Sequence, residues 1–297
     1  MIFARQRELL ALLDALGGDV ASTDFQKLLF LYGQERGEEA PYEFVPYQFG
    51  AFSFSSYADK RKLIDSGELA RVEDRWVLTN VGAKVLQRNP FRSIAANFAR
   101  RNAGLRGDAL VAETYRKFPF FAIRSEIVER VLRGDEGALE AVRAAKMRPA
   151  RAGLFTIGYE GLSLEAYLVR LLRAGVGLLC DVRRNPLSRK YGFSRSTLSR
   201  AVENVGIRYE HIPELGVASH DRAELNSPEA YERLFEAYRR DTLPQQEEAL
   251  KTILQWVDEG MAVALTCFEA SAKLCHRGCV ASHLEARFGA VLASTHL

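Results

Sequence analysis

The chain has 297 residues, 47% hydrophobic and 27% charged, with a net charge of +3; this is globular composition, long enough for two cores without covalent staples. No apolar run approaches the ~20 residues of a membrane span, so no membrane partner is expected. Four cysteines do not make a small disulfide framework, and Arg5 and Arg7 interrupt any secretory leader; a reducing cytoplasm is the expected location.

Positive charge is uneven along the chain. Residues 1–150 hold 23 Lys/Arg and 20 Asp/Glu, whereas the remainder holds 18 of each. Between Lys84 and Arg106 there are six basic residues and no acidic one. Such a stripe suits a phosphate backbone, and it equally suits a solvated helix face.

Arg5 to Leu16 predicts an amphipathic helix, with Leu9, Leu10, Leu12, Leu13 and Leu16 at helical spacing and Gly17-Gly18 as its stop. Ser22 or Thr23 is the expected cap of a second helix carrying Phe25, Leu28, Leu29 and Tyr32. An aromatic loop from Pro41 to Phe52 precedes a helix from Ser53 to Asp65. Leu69 to Leu78 predicts a hairpin, and Thr79 caps a further helix through Leu86. Residues Phe91 to Arg148 read as mainly helical, interrupted at Phe118-Pro119-Phe120-Phe121. That aromatic cluster suits a core plug more than a base-stacking platform. Lys146 to Arg151 reads as the linker.

Beyond the linker, short apolar runs alternate with helical patterns, the signature of a parallel sheet with crossover helices. Leu154–Gly158 and Val176–Arg183 are strands joined by a helix that Ser163 caps, so they should run parallel. A helix from about Ser194 to Val205 leads to a third strand, Ile207–Ile212. Helices over Tyr231–Tyr238 and Gln245–Glu259 precede a fourth strand, Met261–Cys267, and Leu274–Phe288 is the last helix. Ligands bind beyond the carboxyl ends of such strands. Those ends deliver Tyr159; Asp181, Arg183, Arg184; His211, Glu214; and Cys267, Glu269 with Cys275, His276, Arg277.

These residues carry a family resemblance. Thr156-Ile157-Gly158-Tyr159, Cys180-Asp181-Val182-Arg183-Arg184-Asn185-Pro186 with Ser188-Arg189, Gly206-Ile207-Arg208-Tyr209 with Pro213-Glu214-Leu215-Gly216, and Cys267-Phe268-Glu269 with Cys275-His276-Arg277 together resemble the domain-of-unknown-function 488 family (DUF488) over about residues 154–290. The resemblance implies a compact α/β domain and carries no settled activity. Tyr159-Glu160 departs from the His-Ser common at that place in relatives. The N-terminal order of three helices, hairpin and helix resembles a winged helix, with Arg71 and Arg75 near the wing tip. Lys27–Phe30 with Tyr47–Ser53 resembles bacterial antitoxin-associated domains of the Panacea type. The expected division is therefore a winged-helix-like domain over 1–88, a helical basic connector over 89–151, and a DUF488-type, Rossmann-like domain with a mostly parallel sheet over 152–297.

Function is read from the strand ends. Asp181 can serve as a general base or hold an arginine. Arg183, Arg184 and Arg189 form a basic loop suited to phosphate or carboxylate, and Tyr159, Glu214 and Arg277 complete a substrate-binding set. Cys267, Glu269, His276 and His211 are the other catalytic candidates, and His220 reads as a surface imidazole. Cys267 could act as a nucleophile, although Phe268–Lys273 is not the anion-binding loop of rhodanese-like domains. Cys267, Cys275, His276 and Cys279 could ligate zinc, but their spacing departs from regular finger pairs, so no metal or other cofactor is assigned. No Gly-x-Gly-x-x-Gly or P-loop occurs.

The expected function is hydrolysis of a nucleotide or nucleic acid, glycosidase- or nuclease-like, in a setting such as DNA modification or phage defence. DNA rather than RNA is the expected partner, held by Arg71, Arg75, Arg88, Arg92, Arg100 and Arg101. Two alternatives stay open: a non-catalytic DNA-binding regulator that senses a small ligand, and a sulfur-transfer enzyme using Cys267.

Overall fold

The computed structural model describes residues 2–218, 227–288 and 293–297. The chain divides into two compact units, Met1–Lys146 and Met147–Leu297. Among the described residues no helix is long and apolar enough to cross a membrane.

The first unit runs α1 (Ala4–Ala15), β1 (Asp19–Ala21), α2 (Ser22–Arg36), β2 (Val45–Tyr47), β3 (Gly50–Phe52), α3 (Phe54–Asp65), β4 (Arg75–Val77), α4 (Asn80–Val85), α5 (Arg92–Arg101), α6 (Gly107–Lys117), α7 (Val128–Val131) and α8 (Glu136–Ala145). Leu9, Leu10, Leu12 and Leu13 of α1 and Phe25, Leu28, Leu29 and Phe30 of α2 fill its core together with Trp76. Helix α5 packs on α1, and α6 packs on α2. Phe118 and Phe121 close on Phe30 with ring centroids 5.1 and 4.6 Å away, so this aromatic cluster is a core plug.

Three local features differ from what the sequence predicts. Helix α2 has Ala21 at its N-cap with no side-chain bond, because the extended backbone of β1 runs straight into the helix. The aromatic loop closes into the hairpin β2–β3. The Leu69–Leu78 hairpin is narrow, holding one bridge and the Ala70 N to Val77 O bond, while β4 pairs antiparallel with β1.

The second unit runs β5 (Gly153–Gly158), α9 (Leu164–Arg173), β6 (Leu178–Asp181), α10 (Arg195–Asn204), β7 (Arg208–His211), α11 (Pro228–Ala237), α12 (Glu247–Asp258), β8 (Ala262–Cys267), α13 (His276–Phe288) and β9 (Thr295–His296). The sheet order is β7-β6-β8-β5-β9, and every neighbouring pair is parallel. Strands β5 and β6 are parallel, as a crossover helix requires, but β8 lies between them. All six residues of β8 are buried, which is why it reads as an unbroken apolar run. Ser163 caps α9 by accepting from Ala166 N at 3.0 Å. The last helix begins at His276 rather than Leu274, because Ala272–Leu274 is a separate 3-10 turn.

Candidate functional site

The carboxyl ends of β6, β8 and β5 lie side by side, and a cleft of about 290 Å³ opens there. Tyr159, Arg183, Arg184, Arg189, Cys267 and Glu269 are among its lining residues. Close backbone approach builds the rim. A Cβ on Gly158 would lie 1.8 Å from the Glu269 carbonyl oxygen, so the turn after β8 passes directly over a bare α-carbon. Glu160 reinforces the turn: its N–H donates to Phe268 O at 2.8 Å, and its carboxylate accepts from Ala270 N at 2.9 Å.

Asp181 is fully buried at the end of β6. Its carboxylate accepts from the Arg183 backbone N–H (3.1 Å), Nε (2.8 Å) and Nη2 (2.5 Å), and from the Tyr209 hydroxyl (2.8 Å). Arg183 also donates through Nη1 to the Tyr159 hydroxyl and to Phe193 O, both at 2.9 Å, and lies over the Tyr159 ring. Tyr159 stacks on Phe193 with centroids 4.3 Å apart. Burial, and then the Asp181 charge, push the Tyr209 hydroxyl well above its ordinary pKa, so it remains a donor. Asp181 is thus the buried counter-charge of Arg183. The bonding of Arg183 makes it a wall of the cleft.

Two other candidates bond to backbone carbonyls beside the cleft. His211 Nε2 lies 2.8 Å from Arg183 O, pinning the loop after β6. Arg277 is buried and donates to Glu269 O (2.5 Å) and Ala270 O (2.9 Å), clamping the turn over Gly158. Glu214 is exposed on a 3-10 turn and does not line the cleft. His220 lies outside the described residues.

Arg184 and Arg189 are exposed on the cleft wall, with no ion pair among the described residues. Cys267 is buried at the cleft floor, its Sγ 3.4 Å from Glu269 Oε2 and 3.6 Å from His276 Nδ1. Cys275 Sγ lies 3.9 Å from the same nitrogen. Burial, and then the neighbouring Cys267, push the Cys275 thiol well above its ordinary pKa. Among the described residues, Cys267, Cys275 and His276 are the group whose metal-ligating atoms all lie within 4.8 Å of one another. Cys279 stands apart and accepts from Arg239 Nη1 at 3.4 Å.

Phe268 and Leu187 are cleft residues outside the catalytic and binding sets read from the sequence. They are 41% and 75% exposed, and an exposed aromatic directly after a buried strand was the available signal.

Most of the N-terminal arginines have local partners. Arg71 pairs with Asp65 (3.3 Å), Arg75 with Asp19 (2.6 Å) and Arg92 with Asp14 (3.9 Å). Arg101 pairs with Glu35, and Arg100 bonds Asn97. Arg88 is exposed with no such partner among the described residues.

Residues 163–284 match the family model described as Domain of unknown function DUF488. The second unit carries a DUF488 domain. No curated protein and no solved structure matches the chain. The DUF488 match begins at the cap of α9, so β5 and Tyr159, which close one side of the cleft, precede it.

Proposed function

We propose that the DUF488 domain is a hydrolytic enzyme that takes a nucleotide, free or within a nucleic acid, into the strand-end cleft. The observation that carries this reading is the pairing of exposed apolar groups, Phe268 and Leu187, with two exposed guanidinium groups, Arg184 and Arg189, around one cleft. A ligand with a planar apolar part and an anionic part fits both. In this reading Phe268 stacks on the base and the arginines take phosphate oxygens. Glu269, beside Cys267 on the cleft wall, accepts the proton of the attacking water. Arg88 in the N-terminal unit is the arginine readiest to contact a phosphate backbone, and DNA is the proposed polymer.

The test is calorimetric titration of the full chain at low salt with nucleoside monophosphates and with short DNA and RNA oligonucleotides. Product formation is followed in parallel by chromatography. Arg184→Glu and Arg189→Glu, both at exposed positions, should each weaken binding by about tenfold or more, since reversing a phosphate contact costs about 1.4 kcal/mol or more. Glu269→Gln should keep binding and lose turnover. Failure of every probe to bind the folded protein would end this reading.

The 3.6 Å approach of Cys267 Sγ to His276 Nδ1 favours a second reading, thiol chemistry at Cys267 such as sulfur transfer. A persulfide or rapid alkylation at Cys267, seen by mass spectrometry, would support it, and an inert thiol would count against it.

A further inference from the structure

The Cys267, Cys275 and His276 cluster has a geometry that two thiols and an imidazole do not need for packing alone. Cys267 ends β8, and Cys275 and His276 open α13 after a loop that is pinned at several points. Arg277 holds the Glu269 and Ala270 carbonyls. A Cβ on Gly278 would lie 2.1 Å from Ala272 O, so the first turn of α13 is pressed against the preceding 3-10 turn. All three side chains are buried, and they point their heteroatoms at one another.

His276 is oriented from behind. Its Nε2 lies 2.9 Å from Val182 O. A carbonyl only accepts, so Nε2 carries a hydrogen, and in the neutral ring Nδ1 turns its lone pair toward the two sulfurs. Imidazoles that ligate metals are held in this way by a backbone carbonyl. The spacing agrees as well. A tetrahedral ion with bonds of about 2.3 Å to sulfur and about 2.0–2.1 Å to nitrogen sets S and N about 3.6 Å apart. The two measured S···N separations are 3.6 and 3.9 Å. Glu269 Oε2, 3.4 Å from Cys267 Sγ, lies at the distance of a neighbouring coordination position.

We propose that Cys267, Cys275 and His276 bind a zinc ion through two Sγ atoms and Nδ1, leaving its fourth position to the cleft beside Glu269. Thiolate and imidazole donors select zinc over magnesium or calcium. Each thiol releases its proton to bulk water as its sulfur–metal bond forms. Cys267 borders the cleft with Glu269, whereas Cys275 and His276 do not, so the cleft is the side from which a fourth ligand reaches the ion. Three protein ligands with one open position is the arrangement of catalytic rather than structural zinc. The open position would hold a water with a lowered pKa, next to a carboxylate able to take its proton. The metal site does not depend on the nucleotide reading.

The test uses the full chain, purified without chelator and freed of any affinity tag. Mass-spectrometric metal analysis should find about one zinc per chain, and X-ray absorption at the zinc edge should show two sulfur ligands with nitrogen or oxygen completing the shell. After the zinc is stripped, cobalt should restore one equivalent with an intense sulfur-to-cobalt charge-transfer band. Cys267→Ser and Cys275→Ser should lose the stoichiometric metal, and Cys279→Ser should retain it. X-ray absorption on the unaltered chain keeps the proposal testable even if the serine variants misfold. Zinc-free protein that takes up no cobalt while folded, or a shell without sulfur, would overturn the site. None of these readouts involves a nucleotide, so failure here is distinct from failure of the proposed function.

Discussion

Asp181→Asn separates framework from catalyst at the centre of the cleft. The carboxylate accepts three bonds from Arg183 and one from Tyr209, with side-chain exposures of 0% for Asp181 and 6% for Arg183. Asparagine keeps one acceptor oxygen and turns an NH2 group toward donors, leaving a buried guanidinium without its counter-charge. Removing one partner of a buried pair costs about 3–5 kcal/mol. Each kcal/mol lowers the melting temperature of a domain of this size by about 2–4 °C, so a fall of about 6–20 °C is expected. Tryptophan fluorescence can assign the loss, because Trp76 lies in the first unit and Trp256 in the second. Read in single-tryptophan versions, only the Trp256 transition should move. Tyr209→Phe, which removes one bond to a charged group, should cost about 1.5–3 kcal/mol. If Asp181→Asn melted within about 2 °C of the parent yet lost all turnover, the framework argument would be wrong and Asp181 would belong to the chemistry.

Two further outcomes are expected. Lys27 is buried and donates to Ala51 O at 2.8 Å; burial, offset in part by Asp24, lowers its pKa from 10.5 to about 7. The unfolded chain then binds more protons than the folded one between about pH 7 and 10.5, so stability rises with pH across that window. Relative to Lys27→Met, the parent should gain about 2 kcal/mol from pH 7 to pH 9 in denaturant titrations; parallel profiles for the two proteins would contradict the assignment. Gly158→Ala places a Cβ 1.8 Å from Glu269 O; it should cost about 1–3 kcal/mol by overpacking and weaken cleft binding by displacing the turn that carries Glu269, and an unchanged affinity would show that the turn does not position the ligand.

Much of this architecture was legible from local signals along the chain. Short apolar runs located β5, β6 and β8 to within a few residues, the more polar stretch Ile207–Ile212 contains β7, and Ser163 and Thr79 cap their helices as read. The Asp181–Arg183 pair was legible for a local reason: residues two apart in an extended chain face the same side. Tyr209, its third member, comes from the neighbouring strand β7 and could not be seen that way. Long-range pairings were likewise hidden. Strand β9 is two residues long, and β8 (residues 262–267) enters between β5 (153–158) and β6 (178–181) from far along the chain. The sequence showed where the arginines lie but not that Asp14 and Glu35 meet Arg92 and Arg101 of the basic stripe, or that Asp19 and Asp65 meet Arg75 and Arg71. Composition counts charges; it does not say which ones fold back onto each other.

The strand order also sets a schedule. The middle position of the sheet belongs to β8, so β5 and β6 lack a common neighbour until residues 262–267 have been made. Pairings that span so much chain form slowly, because loop closure precedes any gain from contact. During synthesis the edges of β5 and β6 that face β8 keep their backbone N–H and C=O groups unpaired. Cys267, Cys275 and His276 come together only when that gap is filled, so any reactivity at the cleft is withheld until the domain is nearly complete.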